Sequence, residues 1–256
     1  MSYADLLEKG RLCLDDGDNK GALQSLQQAL QLDASAEAWL LLAEAEMNAD
    51  QPAKARKSIN KGLQLEPENI ELLYAHGDLC LEEGDETAAL QAFQKIIALD
   101  STESDAWVSK AMVHFNVDDL AAAEQSCRQA LNIDPESVFA LTTLGSICVA
   151  GEREDEACEC YEKAIALDAE EAQPYLSLGE LYYDRGQLEE AEQVCLKGLE
   201  LDASLPMGYL TLGYIYLDMD RNQESIDNFQ QFLRIEKSPA AKQIREEVAA
   251  VIDGLK

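Results

Sequence analysis

The chain has 256 residues, 47% of them hydrophobic and 27% charged, and its 50 acids against 20 bases give a formal net charge of −30. Such usage belongs to an ordered, water-exposed protein rather than a disordered one. A field of that sign repels nucleic acid and anionic lipid and attracts basic partners, and it also serves solubility.

Met1 leads into Ser2-Tyr3-Ala4-Asp5 with neither a basic start nor an apolar run of signal length, and Ala38–Ala43 is too short to span a membrane. A cytoplasmic chain is the expectation, and seven cysteines without zinc-finger spacing fit free thiols there. One phrase then recurs down the chain: Gln31-Leu32-Asp33, Gln64-Leu65-Glu66, Ala98-Leu99-Asp100, Asn132-Ile133-Asp134, Ala166-Leu167-Asp168 and Glu200-Leu201-Asp202. Its separations, 33 and then 34 residues throughout, place seven units across residues 3–239, starting near 3, 36, 70, 104, 138, 172 and 206. Each reads as two helices of about thirteen residues, with apolar positions on one face of each. In the second unit these are Trp39, Leu42 and Ala43, then Ala55, Ile59 and Gly62. Turns separate the two helices at Asp16-Gly17-Asp18, Asp50-Gln51-Pro52, Glu83-Gly84-Asp85, Ala150-Gly151-Glu152 and Arg185-Gly186-Gln187. The remainder, 240–256, predicts a capping helix started by Ser238-Pro239, with an apolar stripe of Ile244, Val248, Val251, Ile252 and Leu255. A solenoid end needs such a lid. No equivalent precedes the first unit, so self-association through that edge is the alternative to a partner-binding role.

Position eight of the units is always small (Gly10, Ala43, Gly77, Ala111, Gly145, Gly179, Gly213), as is position twenty (Ala22, Ala55, Ala89, Ala123, Ala157, Ala191, Ser225). Helices cross closely only where side chains are short. With Leu6, Trp39, Leu73, Trp107, Leu141, Tyr175 and Tyr209 at position four, the pattern resembles the tetratricopeptide repeat family, which prefers Trp there, over essentially the whole chain. The resemblance implies an all-α fold, a right-handed superhelix of antiparallel helix pairs that binds proteins without catalysis. Two departures bear on packing. Position twenty-seven enlarges to Ile96 and Phe232, and position eleven, elsewhere apolar or aromatic or His, is Glu46, which predicts a local twist with Met47 supplying the apolar contact.

Catalytic, cofactor and metal sites are not expected. His76 and His114 are the only histidines and sit at core-facing positions, which leaves little for a hydrolytic triad. Cys13, Cys80, Cys148, Cys127 and Cys195 recur at inward positions, and Cys158 and Cys160 point apart on one helix. No phosphate loop or dinucleotide fingerprint occurs, and Lys20 and Gln27 spoil the calcium-loop likeness of Asp16–Gly21.

By the resemblance, first helices line a groove through positions two, five, nine, twelve and thirteen. Positions five and twelve form apolar rows whose large members are Tyr74, Phe115 and Tyr183, with Met47 and Leu81 among them. Positions two, nine and thirteen add Asp15, Glu37, Glu44, Glu71, Asp78, Glu82, Asp105, Glu180, Asp184 and Asp218, with Arg11 the one base. At these groove positions the fifth unit carries no charge, with Phe139, Thr142, Ser146, Val149 and Ala150. An exposed apolar row edged with acid predicts a protein or peptide partner, a basic segment with apolar anchors, held by an adaptor or client-holding chaperone. The carboxylate clamp of Hsp70- and Hsp90-binding relatives is not expected: of its slots only Arg11 keeps a cation, Leu7, Leu41, Glu71 and Ala75 fill the others, and Glu71 would repel a carboxylate. Whether the basic strip Lys54, Arg56, Lys57 and Lys61 is a second site stays open.

Overall fold

The computed structural model describes residues 1–255 and folds into fifteen α-helices among them, with no strands. They come as consecutive pairs: α1 Tyr3–Asp15 and α2 Asn19–Leu32, α3 Ala36–Asn48 and α4 Pro52–Leu65, α5 Ile70–Glu82 and α6 Glu86–Leu99, α7 Ser104–Asn116 and α8 Leu120–Ile133. These four pairs make one compact unit, Met1–Ile133. A second, from Asp134 onward, holds α9 Val138–Ala150 and α10 Glu154–Leu167, α11 Ala172–Asp184 and α12 Leu188–Leu201, α13 Pro206–Asp218 and α14 Asn222–Ile235, and α15 Lys242–Gly254.

Local chemistry explains where the helices begin and end. Ser35, Asn69 and Ser137 each accept the backbone N–H three residues on, capping α3, α5 and α9, and Asp18, Asp85 and Asp119 do the same for α2, α6 and α8. Ser2 and Asp5 close a reciprocal capping box on α1. Every first helix stops in the same way. The residue at position fifteen turns left-handed and the next N–H reaches back to the carbonyl of position eleven, as Asp85 does to Cys80 at 2.8 Å. Glycine fills that slot at Gly17, Gly84 and Gly186, but Asp50, Asp118, Glu152 and Asp220 hold it elsewhere, with φ of 56° to 61°. In the fifth pair the glycine expected to make the turn is one residue early. Gly151 has an ordinary φ of −87°, and Glu152 carries the positive φ of 59°.

Within each pair the core is a meeting of a small residue with a larger one. A methyl group added to Gly10 or Gly77 would lie 2.5–2.6 Å from Leu26 or Phe93, the residue at position twenty-four of the same pair. The position-twenty alanines from Ala22 to Ala191 are fully buried, and Ser225 replaces the last by donating its hydroxyl to the Gly213 carbonyl at 2.8 Å. Ile96 and Phe232 are likewise buried, the latter against Leu210, Phe229, Val248 and Ile252. Each of the last two side chains contributes about 1.5–3 kcal/mol by leaving water.

Two sequence expectations are corrected. The terminal helix starts at Lys242 rather than 240, because Ser238 caps a preceding turn, accepting from Ala241 at 3.2 Å, while Lys242 bonds back to Pro239. No twist interrupts α3. Glu46 stays at its core position, 5% exposed, and accepts the Ser58 hydroxyl at 2.7 Å, a bond that satisfies a buried carboxyl without unwinding the helix.

Candidate protein-binding surfaces

In the first unit α3 and α5 pack side by side and leave a cleft of about 370 Å³ between them. Its apolar floor comes from Leu40, Ala43 and Met47 of α3, Ile59 of α4, and Ala75 and Leu79 of α5. Alanine at 43 and 75 creates the space, since a longer side chain at either would fill it. Glu44 rises from one wall and Asp78 and Glu82 from the other. Asp78 and Glu82 lie one helical turn apart, where like charges repel by about 0.2–0.5 kcal/mol. Burial first and then Glu82 push the Asp78 carboxyl above the ordinary aspartate range. Among the described residues no base pairs with Glu44, Asp78 or Glu82. The cleft therefore holds negative charge that its own surroundings do not neutralise.

The second unit repeats the acidic motif with an aromatic neighbour. Glu180 and Asp184 are one turn apart on α11, and burial followed by Asp184 raises the Glu180 carboxyl. Tyr183 stacks on Tyr214 with ring centroids 6.5 Å apart, and its hydroxyl donates to Asp218 at 3.0 Å. Burial, with Asp218 behind it, pushes that hydroxyl up to about 12. Tyr214 in turn meets Phe229 edge-on at 5.0 Å, so Tyr183 stands on a rigid aromatic base.

The other residues singled out in sequence fall into different settings. Tyr74 is half-buried, tilted against Phe93 at 6.3 Å and pointing its hydroxyl toward Glu103 at 3.5 Å; burial and Glu103 raise it. Phe115 and Leu81 are half-buried, and Leu81 packs on the core around Phe93 and Ile96. Glu71 and Asp105 are exposed. Glu37 is exposed too but pairs with Arg11 at 2.5 Å, so the one base on the rim cancels one of its acids. Phe139 is 44% exposed on α9.

The apolar row at position five is broken. Val108, Leu176 and Leu210 are buried in the helix packing rather than displayed. Glycines elsewhere explain Leu176: it occupies the room left at Gly198 and Gly208, where an added methyl would meet it at 2.6 and 2.9 Å. Sequence reading missed the parts that Ala43, Ala75 and Leu79 play in the α3–α5 cleft, because small residues there read as packing alone.

His76 and the cysteines sit in packed surroundings. His76 lies 3.8 Å from the Cys80 sulfur, and burial with nearby Arg56 lowers its imidazole. Burial pushes the Cys195 thiol up to about 12. No group of three or more metal-ligating side chains occurs among the described residues, and no helix there is long and apolar enough to cross a membrane.

Tetratricopeptide repeat models match residues 36–79 and 145–184, and one such model matches 70–103, 104–137, 172–205 and 208–239, together more than half the chain. The chain belongs to the tetratricopeptide repeat family. Repeats of this family commonly serve as protein-interaction scaffolds. The fold is similar to that of a tetratricopeptide repeat protein from Parabacteroides merdae, with a TM-score of 0.79 and 18% identity over 98% of both chains. Yeast Tom70 shares it at a TM-score of 0.77 and 16% identity, over 99% of this chain and 53% of Tom70. A chain of the APC/C hetero-tetramer Cut9–Hcn1 shares it at 0.73 and 15%, over 96% and 46%. A search of curated protein sequences returned no significant match.

Proposed function

We propose that this tetratricopeptide repeat protein is a non-catalytic adaptor or client-holding chaperone that takes basic segments with apolar anchors on its first helices. The observation that supports this most is the α3–α5 cleft, where Leu40, Met47 and Leu79 offer an apolar seat between the unpaired acids Glu44 and Asp78–Glu82. An aliphatic side chain entering it leaves water, and lysines or arginines beside it on the same segment meet carboxylates that lack a partner. In the second unit Glu180 and Asp184 beside Tyr183 offer a similar combination of acid and aromatic surface.

The test is fluorescence anisotropy with a labelled peptide alternating lysine and leucine. Binding is expected to weaken by about tenfold or more in a Glu44→Lys, Asp78→Lys variant, since reversing rim charges converts attraction to repulsion. It should also weaken as salt is raised without vanishing, because the apolar seat is insensitive to screening. Equal affinity for the wild type and the variant sinks the reading.

A further inference from the structure

Among the helices of the first unit, acid concentrates on the first helix of each pair. Its first helices α1, α3, α5 and α7 carry ten acids and three bases, whereas the second helices α2, α4, α6 and α8 carry two acids, Glu86 and Glu124, and seven bases. Helix α4 has four bases and no acid. In the second unit the second helices α10, α12 and α14 are acidic instead, with eleven acids and three bases. The basic face is thus particular to the first unit and is not a property of second helices in general.

Its outward positions are uniform. Positions twenty-two and twenty-six of all four repeats hold only glutamine and lysine, among them Lys57, Lys61 and Lys95, in a chain with 50 acids. Arg56 and Arg128 are neutralised by Glu83 and Glu124, and Lys95 donates to the Pro67 carbonyl. Lys57, Lys61 and Lys110 make no ion pair among the described residues. Lys61 and Lys110 instead rest over the indole rings of Trp39 and Trp107, at 4.2 and 4.9 Å. An indole holds an ammonium group in place without removing its charge.

Between α6 and α8, with α7 as floor, the same face opens into a cleft of about 440 Å³. Gln94, Trp107, Lys110, His114, Gln125 and Gln129 line it, and no carboxylate does. Glutamine amides both donate and accept hydrogen bonds, which suits a peptide main chain, and the lysines suit its carboxylates.

We propose that this second-helix face is a separate docking surface for an acidic polypeptide segment, laid across α4, α6 and α8 with its carboxylates on Lys57, Lys61 and Lys110. A second copy of the chain is a poorer occupant. It would bring its own charge of −30 against the same few lysines, whereas a short acidic segment places all its charge at the patch.

A labelled peptide alternating glutamate and leucine, with its lysine–leucine counterpart as control, tests this by fluorescence anisotropy on the full chain. The wild type should bind the acidic peptide, and Lys57→Glu with Lys61→Glu should weaken that binding about tenfold or more while leaving the lysine peptide unaffected. Gln125→Glu with Gln129→Glu, which adds acid to the cleft without removing a lysine, should also weaken it. The groove variant Glu44→Lys, Asp78→Lys should not, so the two surfaces fail independently. No binding of the acidic peptide, or equal binding by both second-helix variants, overturns the proposal. So does sedimentation showing that the wild type dimerises and that Lys57→Glu with Lys61→Glu is monomeric, since a second copy would then be the occupant.

Discussion

Gly77 of α5 faces Phe93 of α6 so closely that a methyl on the glycine would sit 2.6 Å from the ring. Phe93 is fully buried and has nowhere to retreat, so Gly77→Ala should destabilise the first unit by about 1–3 kcal/mol, the usual range for overpacking. The second pair solves the same contact with Ala43 and Ile59, both buried. Gly77→Ala combined with Phe93→Ile should therefore recover much of the loss, measured by urea denaturation of each single and the double variant. Additive losses in the double variant would mean that the two sites do not compete for one space.

The turn at Glu152 is a place where the chain sits off its optimum. A non-glycine residue in the left-handed region costs about 1–2 kcal/mol, offset in part by the entropy that glycine would lose on folding. Glu152→Gly should raise stability by a few tenths to about 1 kcal/mol, read as a higher melting temperature. Gly186→Ala, at the equivalent slot with φ of 72° and open space around it, should lower stability by a similar amount. Gly151→Ala should do little, since its φ is ordinary. If Gly151→Ala proved the damaging change, the left-handed residue would have been assigned to the wrong position.

That turn also shows what sequence conveys and what it conceals. Helix pairs were legible because a packing rule imposes itself at a fixed spacing: small residues at positions eight and twenty recur wherever two helices cross. The fifth turn was not, because glycine at 151 advertises a turn without saying which residue bears the positive φ. Leu176 stands at position five, a row that the repeat pattern assigns to the groove, yet the gap it fills is made by Gly198 and Gly208, on other helices. Arg11 and Glu37 read as separate charges because 26 positions of chain divide them, and only folding brings them to one rim. Ala43 and Ala75 are the converse case. Their smallness was visible, but the cleft it opens depends on how α3 lies against α5.

Glu46 couples the core of the second pair to pH. Burial raises its carboxyl above the usual glutamate range, with the Ser58 hydroxyl, Lys54 and Lys61 acting the other way. A carboxyl whose folded pKa exceeds its unfolded one favours the folded state while protonated, and that contribution is lost as pH rises through the folded value. At neutral pH the ionised Glu46 is therefore a net cost relative to a neutral isostere. Glu46→Gln keeps an acceptor for Ser58 and should be as stable as the wild type or more so at pH 7. Its advantage should disappear as pH falls below about 4.3, the ordinary glutamate pKa. Thermal melts of both proteins across that range check the sign, and a Gln variant less stable at pH 7 than at pH 4 relative to wild type would show that the lysines outweigh burial.

The same reasoning applied to the α3–α5 cleft yields a binding test. Asp78 titrates above the ordinary aspartate range because burial and Glu82 both disfavour its charge. A cationic side chain docking beside it would favour that charge, so binding draws the carboxyl back down and releases protons under mildly acidic conditions. Affinity for the lysine–leucine peptide should hold from neutral pH down to the raised range of Asp78 and then fall. The lysines themselves stay charged throughout, so the loss belongs to the protein. Asp78→Asn removes that carboxylate and with it the group whose raised pKa sets the loss. The variant should bind more weakly at pH 7 and lose the fall in affinity that accompanies protonation of Asp78. Calorimetry in two buffers of different ionisation enthalpy counts the protons released by each protein. Unchanged proton release on replacing Asp78 would place the peptide away from this wall of the cleft.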